Sequence, residues 1–454
     1  MADVLGSLKR ARVAVVGLGV SNMALVRFLA AHDIRVTACD QKEDLGERED
    51  LLRSLGATLY LGPDYLEGIA EAEVIFLTPG MPRHLPEIVR AVERGARLMG
   101  EMGLFLSLCP ATVVGITGSA GKTTTTSLTG DIFRAAGRTT HVGGNIGTPL
   151  IGRLEEIGPD DVVVLEMSSF QLALVDRSPH VGAVLNISPN HLDVHVDMDD
   201  YVRCKENIFR FQGPGDWTVL SYDDPVVREM KTPARPLYFS LRERADAHLS
   251  GGYITLDGER VLRREELPLE GDHNVANAMA AFLIARALGV PREAMARAAR
   301  AFRAPEHRLE RVAEIDGVLY YNDSIATAPD RTIAALRTMA RPVILIAGGY
   351  DKKIPFAELG AEIGRMYASG RLRGVVLLGD TREKIQRAVE EAGAGAAVAT
   401  AGSFEEAVRL AAEMASPGDA VLLSPACASY DMFANFVERG RAFKELVGSL
   451  EGKR

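Results

Sequence analysis

Val113-Val-Gly-Ile-Thr-Gly-Ser-Ala-Gly-Lys-Thr-Thr124 is an apolar run that turns through glycines into a lysine and two threonines. The pattern predicts a buried strand, a phosphate-binding loop and the start of a helix. Gly118 and Gly121 let backbone N–H groups approach phosphate oxygens with no Cβ in the way, and Ser119 and Ala120 complete the loop between them. The helix N-terminus favours an anion. Lys122 is placed to reach the β- and γ-phosphates, and Thr123, followed by Thr124, offers a hydroxyl to Mg²⁺. The common G-x-x-x-x-G-K-[ST] form would need glycine at 116, where Ile116 stands, so the form present is T-G-x-x-G-K-T. A glycine-rich turn with an incidental lysine is the competing reading, and it leaves the coincidence of strand, glycines, lysine and threonine unexplained. The chain is expected to handle a nucleoside triphosphate.

At 454 residues the chain is too long for one ordinary core, and about three domains are expected. Hydrophobic residues at 47% and charged residues at 25% describe a globular protein. Lys+Arg 52 against Asp+Glu 61 leaves a net charge of −9, which removes the electrostatic case for nucleic-acid binding. Cys39, Cys109, Cys204 and Cys427 are scattered and form no C-x-x-C pair, fitting a reducing compartment. No signal-peptide pattern and no apolar run of membrane-spanning length appears, so a cytoplasmic location without membrane association is expected.

Reading outward from the phosphate loop gives an α/β chain of three segments, 1–109, 110–306 and 307–454. In the first, Arg12-Val-Ala-Val-Val-Gly-Leu-Gly-Val-Ser-Asn-Met23 reads as strand, glycine turn and helix, with further strands ending at Asp40 and Thr78. Strands alternating with helices imply a parallel, Rossmann-like sheet whose ligand edge presents Gly17, Gly19, Asp40 and Thr78. Asn22 stands where the third glycine of G-x-G-x-x-G belongs, which favours a nucleotide-like ligand in general over NAD. In the central, P-loop ATPase-like segment, Asp161-Val-Val-Val-Leu-Glu-Met-Ser-Ser169 delivers Glu166 to a strand end, where a Mg²⁺ ligand is needed. His191, Asp193 and His195 form an H-x-D-x-H run; without a further His or Cys cluster for tetrahedral zinc, Asp193 and His195 read as loop polarity. The third segment again reads as Rossmann-like, with strands ending in Gly, Asp or Ser near 324, 349, 379 and 425.

These motifs resemble the Mur ligases, over nearly the whole length of the chain. The resemblance rests on T-G-S-A-G-K-T at 117–123, G-G-N-I-G at 143–147, E-M-S-S-F-Q at 166–171, N-I-S-P-N-H-L-D at 186–193 and Y-V-R-C-K at 201–205. It continues through H-N-V-A-N at 273–277, His307-Arg308, N-D-S at 322–324 and S-P-A-C-A-S-Y-D at 424–431, the last pointing to the branch that adds D-glutamate. The resemblance implies a cytoplasmic step of peptidoglycan synthesis with ATP and Mg²⁺. The carboxylate of UDP-N-acetylmuramoyl-L-alanine would become an acyl phosphate, and the amine of D-glutamate would attack it. A monomer is expected.

The same resemblance implies roles residue by residue. Lys122 would stabilise the transferring phosphoryl, Thr123 and Glu166 would hold one Mg²⁺, and His191 would help bind a second. Lys205 matches a lysine that the family carbamylates, which would make it an anionic support for that metal. Asn277 and Arg308 would contact ATP and Asp323 its ribose. Asn145, Ser168 and His191 would meet the reacting end of the muramoyl substrate, and Gly17, Gly19, Asp40 and Thr78 its UDP portion. Thr327, Lys352, Ser429, Tyr430 and Phe436 would meet D-glutamate. Three positions depart from the family pattern: Ala120 replaces Asn, Ile325 replaces Lys and Ala328 replaces Asn.

Overall fold

A computed structural model of the protein describes residues 2–189, 194–269, 271–303, 306–351 and 354–450. Within these residues the chain forms three sheets and two compact units, Met1–Arg303 and Ala304–Arg454. No helix among the described residues is long and apolar enough to cross a membrane.

The first sheet is wholly parallel, in the order Thr58–Leu61, Val36–Asp40, Val13–Val16, Val74–Leu77, Arg97–Met99. Val13-Ala-Val-Val16 is buried throughout, as a strand covered on both faces must be. The chain leaves this central strand towards one neighbour and later returns on the other side. That reversal opens a crevice at the strand C-termini, where Gly17, Asp40 and Thr78 lie.

The second sheet has nine strands. Thr112–Thr117 lies between Val162–Glu166 and Val181–Val184, with Thr140–Gly144 at one edge. Parallel strands Trp217–Ser221 and Arg235–Ser240 extend it to Ala247–Ser250, and the antiparallel strands Tyr253–Leu256 and Glu259–Arg263 finish it. One apolar core, including Val15 and Phe76 of the first sheet and Val163 and Leu165 of the second, runs through this unit.

Ala304–Arg454 carries a six-stranded sheet in the order Glu310–Ile315, Val318–Asn322, Ala420–Leu423, Val343–Gly348, Leu372–Leu378, Val398–Thr400. Only the first pairing is antiparallel. Val343–Gly348 is buried along its whole length between apolar clusters on the two faces.

Glu101, the first residue of the buried helix Glu101–Leu108, is itself buried. Burial pushes its carboxyl up to about 7, against the lowering effect of a hydrogen bond from the Ile151 backbone. An acid whose folded pKa is raised stabilises the fold below its unfolded pKa and loses that contribution as pH rises through the folded value. Stability should therefore fall between about pH 4.5 and pH 7, by on the order of 3 kcal/mol for this group. Glu101→Gln should flatten this slope in urea titrations at pH 5 and pH 8; an unchanged slope would contradict the assignment.

Candidate functional site

The phosphate loop sits where the second sheet reverses direction. Thr112–Thr117 runs into Gly118, and the helix Lys122–Ala135 begins after Gly121, which has φ of +82°. Only glycine adopts that left-handed conformation freely, and a Cβ at this position would collide with Oδ1 of Asn277. Asn277, on the helix Asp272–Ala287, accordingly lies against the loop. An alanine at 121 would carry about 1–2 kcal/mol of left-handed strain besides this collision. Gly121→Ala should therefore lower the stability of the fold by at least about 1–2 kcal/mol in denaturant titration, and wild-type stability would contradict it.

The loop is held from behind. Ser119 donates its N–H to the Asn186 carbonyl at 3.0 Å, and its hydroxyl lies 2.9 Å from the Tyr201 hydroxyl. Asn186 Oδ1 accepts from the Ala120 N–H at 2.8 Å, and its Nδ2 donates to the Ala120 carbonyl at 3.1 Å. At Ala120, where the family pattern has a side-chain amide, this neighbouring amide brackets the backbone. Lys122 Nζ donates to the carbonyls of Gly118 at 2.9 Å and Ser119 at 3.2 Å. Thr124 is half-buried on the first helical turn.

Glu166 ends its strand in register with Ile116 and Gly144. Its carboxylate accepts from Thr123 Oγ1 at 2.6 Å and from Asn145 Nδ2 at 2.9 Å, so these three residues converge at the head of the phosphate-loop helix. Ser168 caps the short helix Ser169–Leu172 in a reciprocal capping box with Gln171. Lys205, on the helix Met198–Glu206, is buried. Its Nζ donates to Thr117 Oγ1 at 3.2 Å and the Gly118 carbonyl at 3.0 Å and lies 4.7 Å from the Tyr201 ring centre. Burial, with the Lys122 charge adding to it, pulls its pKa well below the ordinary lysine value. His191 lies outside the described residues.

At the first sheet's edge, Gly17 has φ of +80° and a Cβ there would collide with the Thr78 side chain. Asp40 accepts N–H bonds from Leu18 at 2.7 Å and Lys42 at 3.0 Å, shaping the crevice wall. Gly19 caps the helix Val20–Ala31. Asn22, in place of a third glycine, donates its buried amide to the carbonyls of Val16 at 3.0 Å and Gly17 at 2.9 Å. The side chain ties the turn to the helix.

In Ala304–Arg454, Asp323 is buried, accepting from Ser424 Oγ at 2.8 Å and the Leu309 N–H at 3.2 Å. Burial pushes its carboxyl up to about 7. Arg308 is half-buried just before Leu309. Arg439, unmarked by any sequence motif, is fully buried and stitches two loops together. Its guanidinium donates to Ser324 Oγ at 3.0 Å and to the carbonyls of Ser324, Cys427 and Ala428 at 2.9, 3.0 and 3.2 Å. Thr327 follows the first of these loops and Ser429 and Tyr430 the second, with Ser429 buried and Tyr430 exposed. Phe436 begins the helix Phe436–Leu450, and its carbonyl accepts from Ser324 Oγ at 2.7 Å. Half-buried Ile325 donates its N–H to the His307 carbonyl, and Ala328 stands at the N-cap of Pro329–Thr338 without a side-chain cap. Lys352 lies outside the described residues.

One expectation changes. His195, read as loop polarity, is buried. Its Nδ1 is 3.0 Å from Asp200 Oδ2 and its Nε2 2.9 Å from Ser169 Oγ. The ring stacks on Phe170 with centroids 5.2 Å apart and meets Tyr201 edge-on at the same separation. Asp200 and Tyr201 are near in sequence, but Ser169 and Phe170 come from another element, which local spacing could not reveal.

The chain matches three family models: "Mur ligase MurD-like, N-terminal domain" over 11–100, "Mur ligase middle domain" over 116–285 and "Mur ligase, glutamate ligase domain" over 307–427. A UDP-N-acetylmuramoylalanine--D-glutamate ligase of Symbiobacterium thermophilum is 50% identical over 451 residues, covering 97% of this chain and 98% of the relative. One of Clostridium botulinum is 46% identical over 453 residues, covering 98% of each. Among solved structures, MurF from Acinetobacter baumannii superposes with a TM-score of 0.62 at 17% identity, covering 100% of this chain and 99% of that one. MurF of Thermotoga maritima, solved in complex with ADP, gives a TM-score of 0.59 at 19% identity, covering 89% and 94%. At these identities the superpositions speak for the fold.

Proposed function

The chain belongs to the Mur ligase family, and we propose that it joins D-glutamate to UDP-N-acetylmuramoyl-L-alanine with ATP in cytoplasmic peptidoglycan synthesis. The observation that carries this reading is the 50% identity, sustained over nearly the full length, to a D-glutamate ligase.

The residues support two half-reactions. In the first, an oxygen of the alanine carboxylate attacks the γ-phosphorus of ATP, forming the acyl phosphate and releasing ADP. Phosphorylation supplies the leaving group that a carboxylate lacks. In the second, the D-glutamate amine attacks the acyl carbon, phosphate leaves and the amine gives up a proton. Such chemistry asks mainly for positioning and for fixed positive charge near the phosphates. The N-terminal turn of the helix Lys122–Ala135 and the Lys122 ammonium supply them, the Ser119 and Ala120 N–H groups being taken up by Asn186. The oxygen-only pair of Thr123 and Glu166, 2.6 Å apart beside the loop, fits a hard cation. Mg²⁺ bound there with ATP would neutralise phosphate charge. On the family pattern His191 and a carbamylated Lys205 would serve a second Mg²⁺, and Asn277, Arg308 and Asp323 the nucleotide. Asn145 and Ser168 would orient the muramoyl end, and Gly17, Gly19, Asp40 and Thr78 the uridine end. Thr327, Lys352, Ser429, Tyr430 and Phe436 would hold D-glutamate.

Phosphate release from ATP with UDP-N-acetylmuramoyl-L-alanine should require D-glutamate and not L-glutamate. A preference for L-glutamate, or no release, would overturn the reading. Hydrogen bonds to a charged group are worth about 1.5–3 kcal/mol, so Ser429→Ala should raise the KM for D-glutamate on the order of ten- to a hundredfold. The KM for ATP should stay unchanged; the reverse pattern would misplace the amino-acid pocket.

A further inference from the structure

The Asp200–His195–Ser169 chain has no part in the roles assigned above, yet it spans elements that do. Asp200 lies on the helix that carries Tyr201 and Lys205, and Ser169 opens the helix capped by Ser168. The Asp200 carboxyl is held below its ordinary value, because the His195 hydrogen bond and the Arg83 charge outweigh its partial burial. The carboxylate can only accept, so Nδ1 of His195 donates to it. In the neutral ring Nε2 then accepts from the Ser169 hydroxyl. The ring also fills the space between Phe170 and Tyr201. Tyr201 in turn reaches Ser119 of the phosphate loop and lies under the Lys205 amine.

A metal is the competing reading, since ligand atoms of His195, Asp200 and Cys204 lie within 4.8 Å of one another. Arg83 opposes it. Its guanidinium is 3.5 Å from the Asp200 carboxylate and 3.7 Å from Cys204 Sγ, where it already supplies a positive charge. Catalysis by Ser169 as a nucleophile is disfavoured too, because Ser169 is buried.

We propose that His195 is a positioning residue for the ligase reaction, clamping the Ser168 turn to the helix of Tyr201 and Lys205 and so fixing the Lys205 amine beneath the phosphate loop. The inference rests on the functional reading above. Misplacing reacting groups by about 1 Å can cost on the order of a hundredfold in rate. His195 bonds to Asp200 and Ser169 and to neither Thr123 nor Glu166, so its loss should appear in turnover and spare ATP affinity.

The test uses the full chain. His195→Ala should lower kcat on the order of ten- to a hundredfold, with the KM for ATP unchanged. A cavity of about 340 Å³ lined by His195, Phe170 and Asp200 adjoins the ring, so added imidazole should enter the vacated space and recover part of the lost rate. A kcat within about twofold of wild type, or a loss that imidazole does not relieve, would overturn the proposal. If His195→Ala does not fold, Ser169→Ala decides, since it cuts the Nε2 contact and keeps the ring. It should lower kcat several-fold, and unchanged kcat would overturn the clamp. Reductive methylation mapped by mass spectrometry reads the clamp without turnover: Lys205 should label faster in either variant than in wild type, other lysines being unchanged. A wild type that releases no phosphate would therefore sink the functional reading alone, while unchanged Lys205 labelling would sink the clamp alone.

Discussion

Lys122→Ala should slow phosphate release on the order of 10²–10³-fold and leave the melting temperature close to that of wild type. The side chain is half-buried at the first position of its helix and donates to the Gly118 and Ser119 carbonyls. It packs no core. Its charge lies at the N-terminus of the helix Lys122–Ala135, which itself favours an anion, so a phosphoryl group developing negative charge there meets both. Alanine removes that charge and leaves the strand, Gly121 and the Thr123–Glu166 pair untouched. Lys122→Arg keeps the charge but exchanges a compact ammonium for a planar fork, and should recover little. Phosphate release by Lys122→Ala at the wild-type rate would remove the lysine from the reaction.

What the sequence disclosed follows from burial. Val162-Val-Val-Leu165 and Val343-Ile-Leu-Ile346 are legible because strands covered on both faces must be apolar throughout. The edge strand Thr58–Leu61, exposed on alternate residues, carried too weak a signal to be read. The antiparallel edge at Ala247–Arg263 is hard to read from sequence for a different reason. Its turns, Gly251-Gly252 and Asp257-Gly258, have positive φ at both residues, the chemistry of a tight hairpin. Those dipeptides were present in the sequence, but their flanking strands are short and mixed in polarity. Glu166 could be found because it ends an apolar run. His195 and Arg439 could not, because their burial is decided by residues from other elements that only the fold brings near. Asn22 made the first glycine turn look like a broken dinucleotide motif, whereas its amide secures the carbonyls of Val16 and Gly17.

Lys205→Ala should be slowed on the order of 10²–10³-fold, a loss comparable to that of one preorganised electrostatic group. Short carboxylates such as acetate should restore part of it. Lys205 is only 2% exposed, and a second ammonium, that of Lys122, faces it. A protonated amine there adds a buried like charge, so the neutral amine is favoured. A neutral amine can attack CO₂ at carbon and, after losing a proton, becomes a carbamate anion. That reversal of sign turns repulsion of Lys122 into attraction, and it gives the buried position oxygens capable of holding a cation. Alanine at 205 cannot form the carbamate, but the space it leaves can admit a carboxylate of the same charge. Lys205→Arg should not be rescued, because its guanidinium fills the space and keeps the positive sign. Turnover by Lys205→Ala at the wild-type rate would remove Lys205 from the mechanism. A slow variant indifferent to acetate would leave Lys205 as an uncharged brace for Thr117 and the Gly118 carbonyl, in which case ¹³C-labelled bicarbonate should give no carbamate resonance in the wild-type protein.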